Sequence, residues 1–472
     1  MTTEFGKVTA ETAAELRGLL GEAQVIWNDA EKLEAYSHDE TADRRYAVMP
    51  DVVVKPGDAD QVAAVMRLAA RDRIPVTPRG AGSGLSCGAV PVYGGIVLSL
   101  ERMNRILEID ASNMTATLEP GVVTSEVDAA AQEHGLFFAG YPMSLETCFI
   151  GGNVAENAGG GKAVKYGVTG RYVLGLDVVL PTGELLRLGG KRVKDVTGYD
   201  LIHLLVGSEG TLGVFTRVIV RLLPMPKASV SLLVLFRTVQ EAIDSVPAVM
   251  TETGIIPTAV EFMDRLSFST SFRYLNESLA YGEAGAMLLI EVDGSDGGQV
   301  ERDYDAVGRL CEDRGALEVY VADNHTTRER VWKIRRNVAE AFKVVSPVQT
   351  LEDIVVPTAA IPALMPEIKQ ISTRFGVAIP SYGHAGDGNL HATVVKDPAM
   401  PLAAWESVLP EVLTELYKAV HALGGTISGE HGIGSKRRPF LPLVLDDATR
   451  QLMRRIKQAF DPQGILNPGK IL

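Results

Sequence analysis

A chain of 472 residues exceeds what one hydrophobic core usually serves, so two or three domains are expected. With 46% hydrophobic and 22% charged residues and 47 glycines the composition is globular, and a formal charge of −13 with no run of clustered Lys and Arg argues against nucleic acid as a partner. Cys87, Cys148 and Cys311 are widely spaced and form no Cys-x-x-Cys pair, which suits a reducing compartment and leaves too few thiolates for an iron–sulfur cluster held by this chain alone.

At the N-terminus Met1-Thr2-Thr3-Glu4-Phe5 has neither the basic nor the apolar region of a secretory leader. No apolar run reaches the roughly 20 residues of a bilayer span, so the chain is expected to be cytoplasmic, peripheral to the inner membrane only through a partner. Val52 to Lys55 predicts a strand closed by Pro56-Gly57, and Asp58 caps a helix that runs to Arg71. Ile74 to Thr77 is a second strand that leads into the glycine-rich Pro78 to Gly88. Strands are predicted again at Gly95 to Leu100, Ile106 to Asp110 and Thr115 to Glu119, followed by a helix from Val122 to His134. Gly151 to Gly170 is glycine-dense with little apolar periodicity and predicts loop or tightly packed backbone.

Beyond it Val178 to Leu188 reads as a hairpin turning at Pro181-Thr182-Gly183, and Val214 to Leu223 as a strand. Pro224-Met225-Pro226 is the predicted boundary, dividing the chain into residues 1–225 and 226–472. The second part alternates strand and helix and predicts an α+β domain with a mostly antiparallel sheet. Ser381 to Val395 is expected to be a hairpin turning at Gly386-Asp387-Gly388, with helices at Ala403 to Leu423 and Asp446 to Phe460.

Glycines at 80, 82 and 84 let backbone N–H groups converge on an anion without Cβ interference. A doubly wound dinucleotide fold would need a helix directly after them, and Pro91 and a strand follow instead. Alone, this segment could equally be a surface loop. Gly151 to Gly161 and Gly207 to Gly213 add two more such segments, and a large flat ligand pressed against backbone explains all three.

At these residues the chain resembles the vanillyl-alcohol-oxidase and p-cresol-methylhydroxylase superfamily, most closely its D-lactate dehydrogenase and glycolate oxidase FAD-subunit branch. The resemblance runs from Val52 to Leu472. It implies a two-subdomain FAD-binding domain, then a ferredoxin-like α+β cap whose C-terminal segment returns to the flavin. It implies that Arg79, Gly80, Ala81, Gly82, Ser83, Gly84, Leu85 and Gly88 cradle the pyrophosphate, and that Pro142, Thr147, Gly151, Gly152, Asn153, Asn157 and Gly160 line the flavin. Glu209, Gly210 and Val214 would hold the adenine and ribose side, and Asn389 and Asn467 would approach the flavin. Relatives that attach FAD covalently carry a histidine in the first glycine loop; none stands at 79–88, so noncovalent FAD is implied.

Three of the eight histidines fall in Gly383-His384-Ala385-Gly386-Asp387-Gly388-Asn389-Leu390-His391 and Ser428-Gly429-Glu430-His431. A turn at 386–388 would set His384 and His391 across from each other on adjacent strands, where two imidazoles share one ion and Glu430 supplies a third ligand. Two nitrogens and a carboxylate suit zinc, manganese or ferrous iron rather than calcium. The resemblance places the metal ligands on the same three residues and the catalytic base on His431.

Oxidising a 2-hydroxy acid such as D-lactate or glycolate requires taking the hydroxyl proton and passing the C2 hydride to the flavin, with a cation for the carboxylate. Trp332 to Arg336 is the source of that cation, although a solvated helix face explains those residues equally; the resemblance selects Arg335. Relatives acting on longer diacids add a hydroxyl where this chain has Ala339, which weakens a 2-hydroxyglutarate assignment. Two other readings are an oxidase of a sugar or aromatic alcohol, which has no need of the metal motif, and a non-catalytic electron-transfer subunit. Reduced flavin would pass electrons to a quinone, a cytochrome, an electron-transferring flavoprotein or an iron–sulfur subunit.

Overall fold

The computed structural model describes residues 5–472, so the reading of Met1 to Glu4 lies outside the described residues. Its contacts divide the chain into two units: one comprises the chain up to Gly159, Val168–Pro224 and Glu430–Leu472, the other Gly160–Gly167 and Met225–Gly429.

The strands of the first unit are β1 (Val25–Trp27), β2 (Val52–Val54), β3 (Val76–Arg79), β4 (Ile96–Ser99), β5 (Ile106–Asp110), β6 (Thr115–Leu118), β7 (Leu136–Phe137), β8 (Val173–Val179), β9 (Leu185–Gly189), β10 (Val214–Arg221) and β11 (Leu223–Pro224). One sheet has the order β1-β2-β4-β3, with β2, β4 and β3 parallel. Parallel strands need a crossover, and the helix Ala59–Asp72 supplies it between β2 and β3. Asp58 caps that helix, accepting from the Gln61 amide at 2.8 Å.

Both faces of the sheet are covered, which is why its strands are continuous apolar runs rather than alternating ones. Val52, Val54, Ile96 and Leu98 pack with Val62, Val65 and Met66 of the helix, while Val53 and Val97 pack against Leu33 on the other face. Each such side chain contributes about 1.5–3 kcal/mol by leaving water. A second sheet, β5-β6-β10-β8-β9, is antiparallel, and the β8–β9 hairpin turns at Gly183 with φ 83°. The C-terminal tail returns to β3, where Val76 N donates to Ile465 O (2.8 Å) and Asn467 N to Val76 O (2.7 Å).

Of the two readings of 151–170, loop or tightly packed backbone, the second describes its start, and the loop reading is corrected there. Ile150–Glu156 and Ala163–Tyr166 are short helices. The glycines that hid the first of them serve close approach, because a Cβ at Gly151 would lie 2.5 Å from Pro120 Cβ.

In the second unit β12 (Ala228–Phe236), β13 (Ala259–Asp264), β14 (Ala286–Gly294), β15 (Ala316–Ala322), β16 (Gln349–Val355), β17 (Ser381–His384) and β18 (Asn389–Val395) form one sheet in the order β15-β12-β14-β13-β17-β18-β16. Every pairing in it is antiparallel, as expected. Among the described residues no helix is long and apolar enough to cross a membrane, and all three cysteines are buried and unbridged.

Candidate active site

In the first unit β3 runs directly into the loop at 80–88. The Arg79 guanidinium turns beneath it, Nη1 donating to His38 O (2.7 Å) and Nη2 to Ala35 O (3.3 Å). A side chain at Gly82, where φ is 76°, would run into that guanidinium. Asp39 Oδ2 accepts from Cys87 N (2.7 Å), and Glu40 N donates to Gly84 O (3.0 Å). The loop is therefore held at its ends and through the Gly84 carbonyl. Its amides at Ala81, Gly82, Ser83, Gly84 and Leu85 have no hydrogen-bond partner among the described residues. Five half-buried donors in succession are a cradle for an anion, and a pyrophosphate fits that chemistry.

Two other expected cofactor residues, Gly152 and Asn467, meet this loop. A Cβ at Gly80 would come within 3.8 Å of Gly152 Cα, and one at Gly152 itself would meet nothing within 4 Å. Asn153 Nδ2 donates to Thr124 Oγ1 (2.7 Å), and Asn157, at φ 54°, accepts from Gly170 N (2.8 Å). Asn467 Nδ2 donates to Gly88 O (3.1 Å) and Glu209 O (2.7 Å), so its amide joins two of the glycine segments. Pro142 and Thr147 lie on the irregular stretch before the Ile150 helix, and Val214 opens β10. Gly160 belongs to the other unit.

Glu209 has a use that the sequence did not reveal. Its carboxylate accepts from Ile433 N (2.7 Å) and Gly434 N (2.6 Å), which fixes the loop that follows His431. Burial pushes this carboxyl up, and the two amides oppose that shift. Gly432, at φ 82°, has no room for a side chain because Glu156 stands there. His431 Nε2 lies 3.5 Å from Glu430 Oε1.

In the second unit β17 and β18 form the expected hairpin, closed by Gly388 at φ 88°. The direct opposition of the two histidines is corrected: His384 pairs with Asn389, and His391 with Tyr382. The four-residue connection 385–388 shifts the register, so the imidazoles are diagonal neighbours on one face. Their ring centroids are nevertheless 5.3 Å apart.

Beneath them lies Glu261 of β13, fully buried, with Oε1 2.6 Å from His384 Nδ1 and Oε2 2.5 Å from Arg335 Nε. Burial works against its charge, but Arg335 and His384 overcome it and hold the carboxyl at about 2. Arg335 ends the helix His325–Arg336, whose buried side is Val331, Trp332, Ile334 and Arg335; Lys333 and Arg336 face outward. The helical phase thus selects one cation from the basic run. The Arg335 guanidinium sits over the Tyr382 ring, 5.2 Å from its centroid, and its buried Nη2 has no hydrogen-bond partner among the described residues.

Asn389 Nδ2 is committed to Asp353 Oδ1 (2.7 Å), and Asp353 Oδ2 accepts from Ser428 Oγ and Gly429 N, both at 2.9 Å. Glu261 and Asp353 are the functional candidates that the sequence reading missed. For Glu261 the signal was there, a carboxylate inside the apolar run Ala-Val-Glu-Phe-Met; Asp353, beside Glu352 in the polar-led strand Gln349–Val355, carried none. For a metal the donor set is apt, since a histidine whose Nδ1 donates to a carboxylate presents Nε2 for coordination.

A row of unpaired backbone donors stands in one unit, and a buried histidine–glutamate–arginine cluster in the other. The model of the FAD binding domain matches residues 50–189, and that of the FAD linked oxidases, C-terminal domain, matches residues 225–471. Glycolate oxidase subunit GlcD of Bacillus subtilis (strain 168) is 40% identical over 92% of this chain and 91% of that protein. D-lactate dehydrogenase of Archaeoglobus fulgidus is 38% identical over 93% of this chain and 96% of that protein. A crystal structure of p-cresol methylhydroxylase with substrate bound superposes with a TM-score of 0.81 at 18% identity, covering 98% and 97% of the two chains, and shows the fold. The chain belongs to the FAD-linked oxidase family; it is an FAD-dependent oxidoreductase with a p-cresol-methylhydroxylase-type FAD-binding fold.

Proposed function

We propose that this enzyme oxidises a small 2-hydroxy acid, of the size of D-lactate or glycolate, to the 2-oxo acid. Bound FAD would supply the hydride acceptor, and a bound zinc, manganese or ferrous ion would make the substrate hydroxyl easier to deprotonate. The observation that carries the reading is Arg335, a buried guanidinium anchored by Glu261 at one nitrogen and without a partner at Nη2. A buried cation with an unused donor is costly unless something completes it, and a carboxylate does so in two-pronged fashion.

In this reading Arg335 grips the carboxylate and so orients C2, and His431 takes the hydroxyl proton. His384, His391 and Glu430 hold the cation. The five amides of Ala81 to Leu85, with Arg79, Gly80 and Gly88 framing them, take the pyrophosphate of a noncovalently held FAD. Pro142, Thr147, Gly151, Gly152, Asn153, Asn157 and Gly160 line its ring, Glu209, Gly210 and Val214 its adenine side, and Asn389 and Asn467 steady the surrounding backbone. The relatives named for glycolate oxidation and D-lactate dehydrogenation support the substrate class. Electrons leave through a separate acceptor. Purified enzyme is expected to be yellow and to bleach anaerobically on addition of D-lactate or glycolate; metal-loaded enzyme that no 2-hydroxy acid bleaches refutes the assignment.

A further inference from the structure

We infer that Glu261 is a positioning residue that couples metal binding to substrate-carboxylate binding, because one carboxylate holds both His384 and Arg335. The inference rests on the proposed function and deepens it.

The placement of Glu261 fits this role. It is fully buried in the middle of the sheet, between Val260 and Phe262, where an apolar residue would pack at no electrostatic cost. Oε1 is taken by His384 Nδ1 at 2.6 Å and Oε2 by Arg335 Nε at 2.5 Å, so each oxygen serves one partner. With the Nδ1 proton given to Oε1, the lone pair of His384 lies on Nε2 and the ring cannot rotate. With Nε held by Oε2 and the guanidinium plane over Tyr382, the remaining nitrogens of Arg335 point in a fixed direction. The chain also keeps space clear for this carboxylate: a Cβ at Gly161 would stand 2.5 Å from Oε1 and 3.5 Å from His384 Nδ1. A carboxylate is the one side chain that can accept from both donors. In Glu261→Gln the amide oxygen can still accept from one, but the NH2 group would face an N–H. In Glu261→Asp the carboxylate is one methylene short and cannot span both.

The test uses full-length enzyme stripped of metal. Affinity for Zn2+ and for Mn2+ is measured by competition with a chromophoric chelator, without substrate, for wild type, Glu261→Gln and Glu261→Asp. FAD stoichiometry and far-UV circular dichroism serve as folding controls. The expected result is metal affinity about 10- to 100-fold weaker in both variants. In metal-saturated enzyme KM for D-lactate should rise with kcat less affected. A purely structural role would lower yield and thermal stability and leave the metal affinity and KM of the folded fraction unchanged; affinities within about threefold of wild type therefore overturn the inference.

His384→Gln separates this failure from failure of the metal site. If that variant binds metal as tightly as wild type, the metal reading falls; if it loses metal while the Glu261 variants do not, only the coupling falls. Should the Glu261 variants not fold, wild-type enzyme still decides. The His384 Nδ1 proton should give an exchange-protected downfield resonance that is absent from His384→Gln, and its absence from wild type overturns the inference.

Discussion

Replacing Arg335 by Lys keeps the charge and removes the fork, and the structure allows the consequence to be worked out. The side chain is 5% exposed and meets Glu261 at 2.5 Å. A lysine ammonium can satisfy Glu261, but it then has no second planar donor pair for a substrate carboxylate. Hydrogen bonds to charged groups are each worth about 1.5–3 kcal/mol. Losing the better part of one two-pronged contact should cost about 2–3 kcal/mol of transition-state binding, or roughly 30- to 150-fold in kcat/KM. Stopped-flow reduction of the flavin, run anaerobically with D-lactate and with 1,2-propanediol, isolates the carboxylate. The loss should fall on D-lactate and leave the diol, which has no carboxylate, almost untouched. Equal loss on both, or an unchanged KM for D-lactate, would refute the role. Arg335→Met provides the contrast: it leaves Glu261 buried beside His384 alone and should destabilise the protein by about 3–5 kcal/mol in urea.

Gly432→Ala should be destabilised by about 2 kcal/mol or more, since it combines a positive φ with a clash against Glu156; urea midpoints at constant m-value measure this. Burial pushes the thiols of Cys87 and Cys311 up to about 12, and Cys148 is buried as well. Native enzyme at pH 8 should therefore release no colour with a thiol reagent, and three equivalents after denaturation. Burial lowers the Lys470 ammonium from 10.5 to about 8. Between those values the unfolded chain binds the proton that the native chain has released, so this residue's contribution to stability rises with pH by about 1.4 kcal/mol per unit. The rise, taken as wild type minus Lys470→Met in urea titrations from pH 7.5 to 10, should be flat below 8; a constant difference across the range would contradict it.

The local chemistry of this protein was legible wherever a short stretch of chain decides the outcome. Asp58 announced a helix because a cap acts on its own first turn, and the apolar runs around Val52–Val54 and Ile96–Ser99 announced strands. The loop at 80–88 announced close-packed backbone because the need for a position without Cβ is written in glycine, as at Gly82 over the Arg79 guanidinium. The helix at Ile150–Glu156 was hidden by the same signal: glycine permits close approach to Pro120 as readily as it permits a loop.

Tertiary structure decided which polar groups meet. The pairing of His384 with Asn389 set the histidines diagonally, a matter of register that the connection imposes and that the residue names do not carry. Helical phase chose Arg335 over Lys333 and Arg336, and strand pairing brought Glu261, more than seventy residues earlier in the chain, beneath it. A buried ionic contact between a strand and a distant helix leaves no periodic trace: until the fold is assembled Glu261 looks like an isolated charge in an apolar run, and Arg335 like one of several in a basic one. The amino-acid sequence by itself determined most of the elements, the glycine loops and the histidines; folding the sheet determined that one glutamate would hold the histidine and the arginine together, because there three segments remote in the chain share a buried space.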